Sequence, residues 1–144
     1  MARELLAAPL IANLATHGRD GGIHLLPMWF LWKAGRVLIP TNGATQKVRN
    51  LERDPRATVM IDVSRGGLGL CGITLHCAAT IVRAPRSFGL NREIHLKYIT
   101  ATERDHPDVD AYLGTDDVTL QLEPVGGFRW DLRKTPANRA LLGS

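Results

Sequence analysis

Long hydrophobic runs are absent from this sequence. None of its apolar stretches approaches the roughly 18 residues that a transmembrane helix needs. The N-terminal stretch MARELLAAPLIANLAT is interrupted by Glu4, Pro9 and Asn13, and no small-residue cleavage site follows it. We therefore expect a cytoplasmic protein with no membrane partner.

Cysteine is scarce too, and Cys71 and Cys77 are the only two in the chain. On one regular strand their even spacing places both side chains on the same face. They would then lie about 20 Å apart, too far for a disulfide with each other. We expect free, buried thiols in a reducing compartment.

Spacings typical of metal sites are also missing, and we predict no metal site. The histidines show neither HxH nor HxxxH spacing and are interpreted as surface or satisfied residues: His17, His24, His76, His95 and His106. The aspartates between 105 and 117 are interpreted as helix caps and a solvated loop. No Ser-His-Asp or Cys-His arrangement can be argued, so the catalytic residues stay unknown.

Positive charge, by contrast, is plentiful. The 144 residues carry a net charge of +4 at pH 7, and 44% of them are apolar, which suits one compact domain with a sizeable core. A basic chain favours an anionic partner. Nucleic acid, a phosphorylated cofactor and an acidic substrate all fit this charge.

Alternating and β-branched residues predict about seven strands. The predicted strands are 10–17, 23–33, 36–41, 56–63, 70–82, 117–123 and 127–132, the last two separated at Pro124. Tight turns at GRDGG and AG join the first three into a meander of hairpins, and RGGLG at 65–69 reads as another turn. Short connections favour antiparallel pairing, in an open sandwich or a closed barrel with helices at its ends.

Three short helices are predicted between these strands, besides a helical turn at 3–8. They cover 44–53, 87–101 and the segment HPDVDAYLG, which ends at Gly114. Val48 and Leu51 form the inward pair of the first of these helices.

The strand predicted at 23–33 is apolar on both faces. Met28, Phe30 and Trp32 share one face, while Trp29 and Leu31 share the other. A half-solvated strand would alternate apolar with polar residues. We expect one face to fill the core and the other to be covered by a subunit partner or a flat ring-shaped ligand. Pro27 indicates a bulge or an edge position.

The stretch TNGATQKVRNLERDP at 41–55 runs from a strand into a helix and carries three basic residues, Lys47, Arg49 and Arg53. Unpaired backbone N–H groups at a helix start form an anion site, which the helix dipole and Lys47 would strengthen. The alternative is a solvated amphipathic helix whose charges pair along its surface. The residues alone favour neither reading.

Several of these segments, in the same order and spacing, resemble the pyridoxamine 5'-phosphate oxidase-like split β-barrel family. KVRNLERDPRATVMID is similar to the family's helix–strand signature, and IANLATHGRDGGIHLLPMWFLW to its first hairpin. GRVLIPTNGATQK resembles the third strand and phosphate turn, and DDVTLQLEPVGGFRWDL the closing strands. The resemblance is closest to the branch that often uses the deazaflavin coenzyme F-420. It implies one mainly β domain over 1–144, an antiparallel split barrel with short helices.

The resemblance also implies a homodimer with FMN or coenzyme F-420 in each of two interface clefts. The implied cofactor-binding residues are Pro27, Met28 and Trp29 beside the ring, Thr41 and Asn42 at the phosphate or sugar-alcohol chain, and Thr45, Gln46 and Lys47 at the phosphate. Trp130, with Arg129 as a second candidate, would lie near the partner's cleft.

Two departures from the family pattern bear on function. The oxidase proper carries an Arg-rich RxVLLK strand, whereas the corresponding LLPMWFLW is apolar, which argues against vitamin B6 oxidation. Thr45 also stands where a basic residue usually precedes the helix lysine. The choice between FMN and F-420 therefore stays open, as do the roles of Arg49 and Arg53.

Three functions remain after this comparison. The first is an oxidoreductase that transfers a hydride between reduced flavin or deazaflavin and a small organic acceptor. The second is a non-catalytic protein that binds or stores FMN, F-420 or haem. The third, nucleic-acid binding, ranks last because the aromatic residues cluster with aliphatic ones at 28–32 rather than with basic ones.

Overall fold

The computed structural model describes residues 2–64 and 69–134. Its strands are β1 (Ala12–His17), β2 (Ile23–Met28), β3 (Leu31–Lys33), β4 (Arg36–Thr41), β5 (Arg56–Val63), β6 (Cys71–Arg83) and β7 (Val118–Asp131). Its helices are α1 (Ala2–Ala7), α2 (Gln46–Arg53), α3 (Arg86–Tyr98), α4 (Ala101–Arg104) and α5 (Val109–Leu113), followed by a 3-10 turn at Leu132–Lys134. The turn predicted at 65–69 lies almost wholly outside the described residues.

The described strands form one antiparallel sheet in the order β2-β1-β5-β6-β7-β4-β3. β2 and β3 occupy its two edges and do not pair with each other, so the barrel is split rather than closed. The prediction of a mainly β, antiparallel split barrel with short helices is confirmed. Pro27 lies on an edge strand, as its missing N–H requires.

The core packs on the sheet and includes side chains of α1 and α2. Its fully buried side chains include Phe30, Leu14, Ile39, Ile61, Leu120 and Leu122. Burying a side chain of this size stabilises the fold by about 1.5–3 kcal/mol. The predicted inward pair of α2, Val48 and Leu51, lies in this core, as do Cys71 and Cys77, which are both free thiols as expected.

The prediction of one strand over 23–33 is wrong. β2 ends at Met28 and β3 begins at Leu31, and the two lie at opposite edges of the sheet, so the expected three-strand meander does not form. The backbone of Phe30 bonds to side chains of α3 instead of to a neighbouring strand. The chain thus crosses from one edge to the other at Trp29 and Phe30.

The opposite error occurs at the C-terminal end. We predicted a break at Pro124, but β7 runs without interruption from Val118 to Asp131. Pro124 pairs with Cys77, and a register shift between His76 and Cys77 leaves Val125 as a β-bulge beside it. One predicted strand is thus divided into two, and two predicted strands are joined into one. The described sheet therefore has seven strands, as predicted.

Candidate functional site

A cleft forms where the β2–β3 crossing meets the end of β4. It brings together four of the nine predicted cofactor residues, namely Pro27, Met28, Trp29 and Thr41. Pro40, Tyr112 and Asp116 complete its lining, and its volume is about 190 Å³. The apolar wall and the strand end therefore meet, although 12 positions separate Trp29 from Thr41 in the chain.

Trp29 is held in this cleft by α3. Its indole stacks on the Tyr98 ring, with centroids 4.8 Å apart and planes 2° from parallel. The imidazole of His95 meets the indole edge-on, with centroids 6.1 Å apart. We expected a partner subunit or a ligand to cover this face of the 23–33 segment, and at Trp29 the chain's own α3 contributes that cover.

Two side chains of α3, Tyr98 and Lys97, hold the crossing at Phe30. The Tyr98 hydroxyl donates to the Leu10 carbonyl (2.6 Å) and accepts from the Phe30 N–H (3.1 Å). The Lys97 ammonium donates to the Phe30 carbonyl (2.9 Å) and lies 3.7 Å from the Phe30 ring centroid. Burial lowers the pKa of Lys97 to about 8. These contacts satisfy backbone groups that leave the sheet ladder.

The turn between β4 and α2 is pre-shaped by its own hydrogen bonds. The Asn42 carboxamide accepts from the Ala44 N–H and donates to the Thr115 carbonyl, both at 2.8 Å. The Thr45 hydroxyl donates to the Asn42 carbonyl (2.8 Å). Thr45 is the N-cap of α2, yet its side chain makes no capping bond, so the first-turn N–H groups remain available to an anion.

Lys47 is the most unusual charged residue of the site. It lies in the first turn of α2 and is only 6% exposed. Within residues 2–64 and 69–134, its ammonium makes neither a hydrogen bond nor an ion pair. Burial lowers the pKa of Lys47, and the negative charge of nearby Asp116 opposes that shift. A partly desolvated ammonium without a hydrogen bond is less stable than one in water, which makes this position suited to an anionic ligand.

Asp116 was not identified as a site residue from the sequence, where it was interpreted as part of a solvated loop. Its carboxylate lies 2.9 Å from His95 Nε2 and also lines the cleft. The Asp117 carboxylate is also hydrogen-bonded, because it accepts from the Gly43 N–H at 2.7 Å. Both aspartates lie just before β7, beside the turn between β4 and α2, a placement that only the sheet order reveals.

Gln46 and the two arginines of α2 lie apart from this cleft. The Gln46 amide bonds to Asn50 (2.8 Å) and accepts from Arg49 (3.1 Å). Arg49 also donates to the Ala44 carbonyl, and Arg53 to the carbonyl of His17. These residues line a separate depression of about 700 Å³ with Arg19. The guanidinium groups thus stabilise the turns around α2.

Trp130 lies on the outer face of the sheet, away from its own chain's cleft. Its ring covers Gly72, where an added Cβ would overlap the indole, and packs against Phe128 at 5.9 Å between centroids. Cross-strand pairing puts Phe128 in one row with Met60 and Pro27, and Leu25 is on the same face. Phe128 and Leu25 are 60% and 62% exposed. This outer apolar face is available for association.

Residues 2–64 and 69–134 contain neither a cluster of metal ligands nor a membrane-spanning helix. In that part of the chain, no group of three or more His, Cys, Asp or Glu side chains is arranged to hold a metal ion. Likewise, none of the described helices is long and apolar enough to span a bilayer.

Solved structures with the same fold include a conserved hypothetical protein of Mycobacterium tuberculosis. It is 27% identical, with a TM-score of 0.72, and the match covers 92% of this chain and 84% of that one. An F-420 reductase matches at 22% identity and a TM-score of 0.69, over 88% of this chain and 94% of its own. The haem storage protein HutZ of Vibrio cholerae matches at 16% identity and 0.65, over 88% and 90%.

The sequence itself was compared with curated proteins and with family models. None of the curated proteins matches it. The family model described as pyridoxamine 5'-phosphate oxidase matches residues 1–115, which is most of the chain. The split barrel agrees with that match, and the chain belongs to the pyridoxamine 5'-phosphate oxidase family.

Proposed function

We propose that this protein is an oxidoreductase that transfers a hydride between a reduced flavin or deazaflavin, FMN or coenzyme F-420, and a small organic acceptor. The observation that carries the proposal is Lys47, which is only 6% exposed and whose ammonium makes neither a hydrogen bond nor an ion pair in the described part of the chain. It lies at the start of a helix whose N-cap side chain leaves the first N–H groups uncapped. Both cofactors carry a phosphate that suits this position.

The residues present fit such a cofactor. Lys47 and the first-turn N–H groups of α2 would hold the phosphate, and Thr41 and Asn42 would lie along the sugar-alcohol chain. Pro27, Met28 and Trp29 would form an apolar wall that excludes water from the ring. The ring supplies the hydride chemistry when bound, and the protein supplies position and electrostatics. Tyr98 and His95 keep the Trp29 indole from turning away.

The cleft of one chain is too small for the whole ring system. Its volume of about 190 Å³ is below the roughly 300–1,000 Å³ of typical ligand pockets. We propose that a second copy of the chain contributes the missing wall, because the outer apolar face leaves Leu25 and Phe128 exposed. A homodimer with cofactor sites at its interface follows, with Trp130 as the partner's contribution.

The proposed function is tested by titrating the purified protein with FMN and with F-420. We expect one of them to bind with a shifted absorption spectrum, and we expect the loaded protein to oxidise or reduce an organic acceptor. Failure of both cofactors to bind would overturn the proposal.

A second candidate is a non-catalytic protein that binds or stores FMN, F-420 or haem. The fold shared with the haem storage protein favours it, because this fold serves storage in that protein. Turnover separates the two candidates. Tight cofactor binding without turnover, across a panel of quinone, enone and imine acceptors, would favour storage.

The role of Trp130 in the partner's cleft gives a further prediction. Trp130→Ala should weaken cofactor binding by about 10-fold or more, because truncated aromatic anchors at interfaces commonly cost about 2 kcal/mol. Affinity is measured by titration and mass by sedimentation with cofactor present. Val125→Ala is the matched control, because Val125 is 74% exposed on the same strand. A dimeric Trp130→Ala variant with the parent's affinity would remove Trp130 from the cleft.

A further inference from the structure

A second cavity lies between α3 and the segment that carries α4 and α5. Its volume is about 410 Å³, within the range of small-molecule sites. The apolar side chains that line it are Phe88, Leu96, Ile99, Val109 and Leu113. Two of them, Phe88 and Leu96, are 52% and 43% exposed although both are large and apolar. An apolar surface gathered around a concave cavity is typical of a binding site.

The charges around this cavity are unevenly matched. Arg92 and Arg104 both line it, and within the described part of the chain neither guanidinium group has an ion-pair or hydrogen-bond partner. Of the two carboxylates in the lining, Asp116 is bonded to His95 at 2.9 Å. The cavity lining therefore holds two guanidinium groups without a bonded partner in the described chain, but only one such carboxylate, that of Asp110.

We propose that this cavity binds a small organic acid with an apolar body. The body would pack against the apolar lining between α3 and α5, and Arg92 and Arg104 would hold the carboxylate, a group that guanidinium matches in geometry. Neutral and cationic molecules with the same body lack that partner. The site is distinct from the cofactor cleft, although Asp116 lines both, and its occupancy does not depend on a bound cofactor.

Octanoate is the probe for this site, used on the full chain without cofactor. Backbone amide chemical shifts are followed by NMR during a titration, with octanamide and octylammonium as uncharged and cationic counterparts. We expect saturable shifts on α3, α4 and α5, and affinity about three- to tenfold higher for octanoate than for octanamide. Shifts confined to the outer apolar face, or equal affinity for all three molecules, would overturn the proposal.

Matched variants test the two arginines. Arg92→Ala and Arg104→Ala should each weaken octanoate binding about three- to tenfold while leaving octanamide binding unchanged. Asp110→Asn should strengthen it, because a carboxylate that repels the ligand is removed. Arg86→Ala is the control, since Arg86 is an exposed residue of α3 outside the cavity lining. Parent-like affinity in both cavity arginine variants would contradict the assignment.

Discussion

Replacing Gly127 with alanine is expected to destabilise the fold by about 3 kcal/mol. Gly127 has φ +157° and faces β6, where an added Cβ would overlap the carbonyl oxygen of Thr74 and lie 3.2 Å from Leu75 Cα. Both neighbours are backbone atoms of a central strand and cannot move aside cheaply. Thermal unfolding should show a midpoint lowered by roughly 6–12 °C.

The neighbouring glycine gives the matched control for this substitution. Gly126 lies on the same strand, and a Cβ added there would meet no atom within 4 Å. Gly126→Ala should therefore change the stability by no more than about 0.5 kcal/mol. Equal unfolding midpoints for the two variants would mean that β6 and β7 are not this close at Gly127.

The second large effect concerns Lys47 and is expected in binding rather than folding. Lys47→Met should weaken binding of whichever cofactor the parent binds by about 10- to 100-fold, because one charge-assisted phosphate contact is lost. The free energy of unfolding should stay the same or rise, since methionine fills the buried position without a desolvated charge. Cofactor titration and chemical denaturation measure the two quantities.

An exposed lysine provides the comparison for this variant. Lys33 pairs with Glu93 at 2.9 Å on the protein surface, and its replacement by methionine should alter neither quantity by more than about 1 kcal/mol. Unchanged cofactor affinity in Lys47→Met would contradict the proposal that Lys47 binds the cofactor phosphate. A large loss of stability would instead show that the ammonium has a partner in the folded chain.

Local sequence patterns predicted most of the strands, because alternating side chains follow from the pleat of a strand and turn residues mark its ends. β4 and β5 were predicted with the observed limits, and the burial of Val48 and Leu51 followed from their spacing. The pattern could not show the crossing at Trp29 and Phe30. Those residues are as apolar as a strand, and the bonds that divert them come from Tyr98 and Lys97, more than 60 positions later.

The site was predictable only in part, for a related reason. Pro27, Met28, Trp29 and Thr41 were placed by the family resemblance, and the structure brings their side chains into one cleft. Asp116 escaped notice because an aspartate in a polar stretch carries no local signal of burial or pairing. Its importance arises from His95 on α3 and Lys47 on α2, which approach it only in the folded sheet.

The attachment of the crossing to α3 has a consequence for the order of folding. The contacts that hold Phe30 and Trp29 join residues 67 to 69 positions apart. Closing a loop of that length costs chain entropy, which other tertiary contacts must offset. During synthesis the first hairpin can form before α3 exists, but its apolar end has no cover. We expect a nascent chain that ends before α3 to expose Trp29 and to lack the cleft. Cofactor binding should therefore begin only after the C-terminal half has been synthesised.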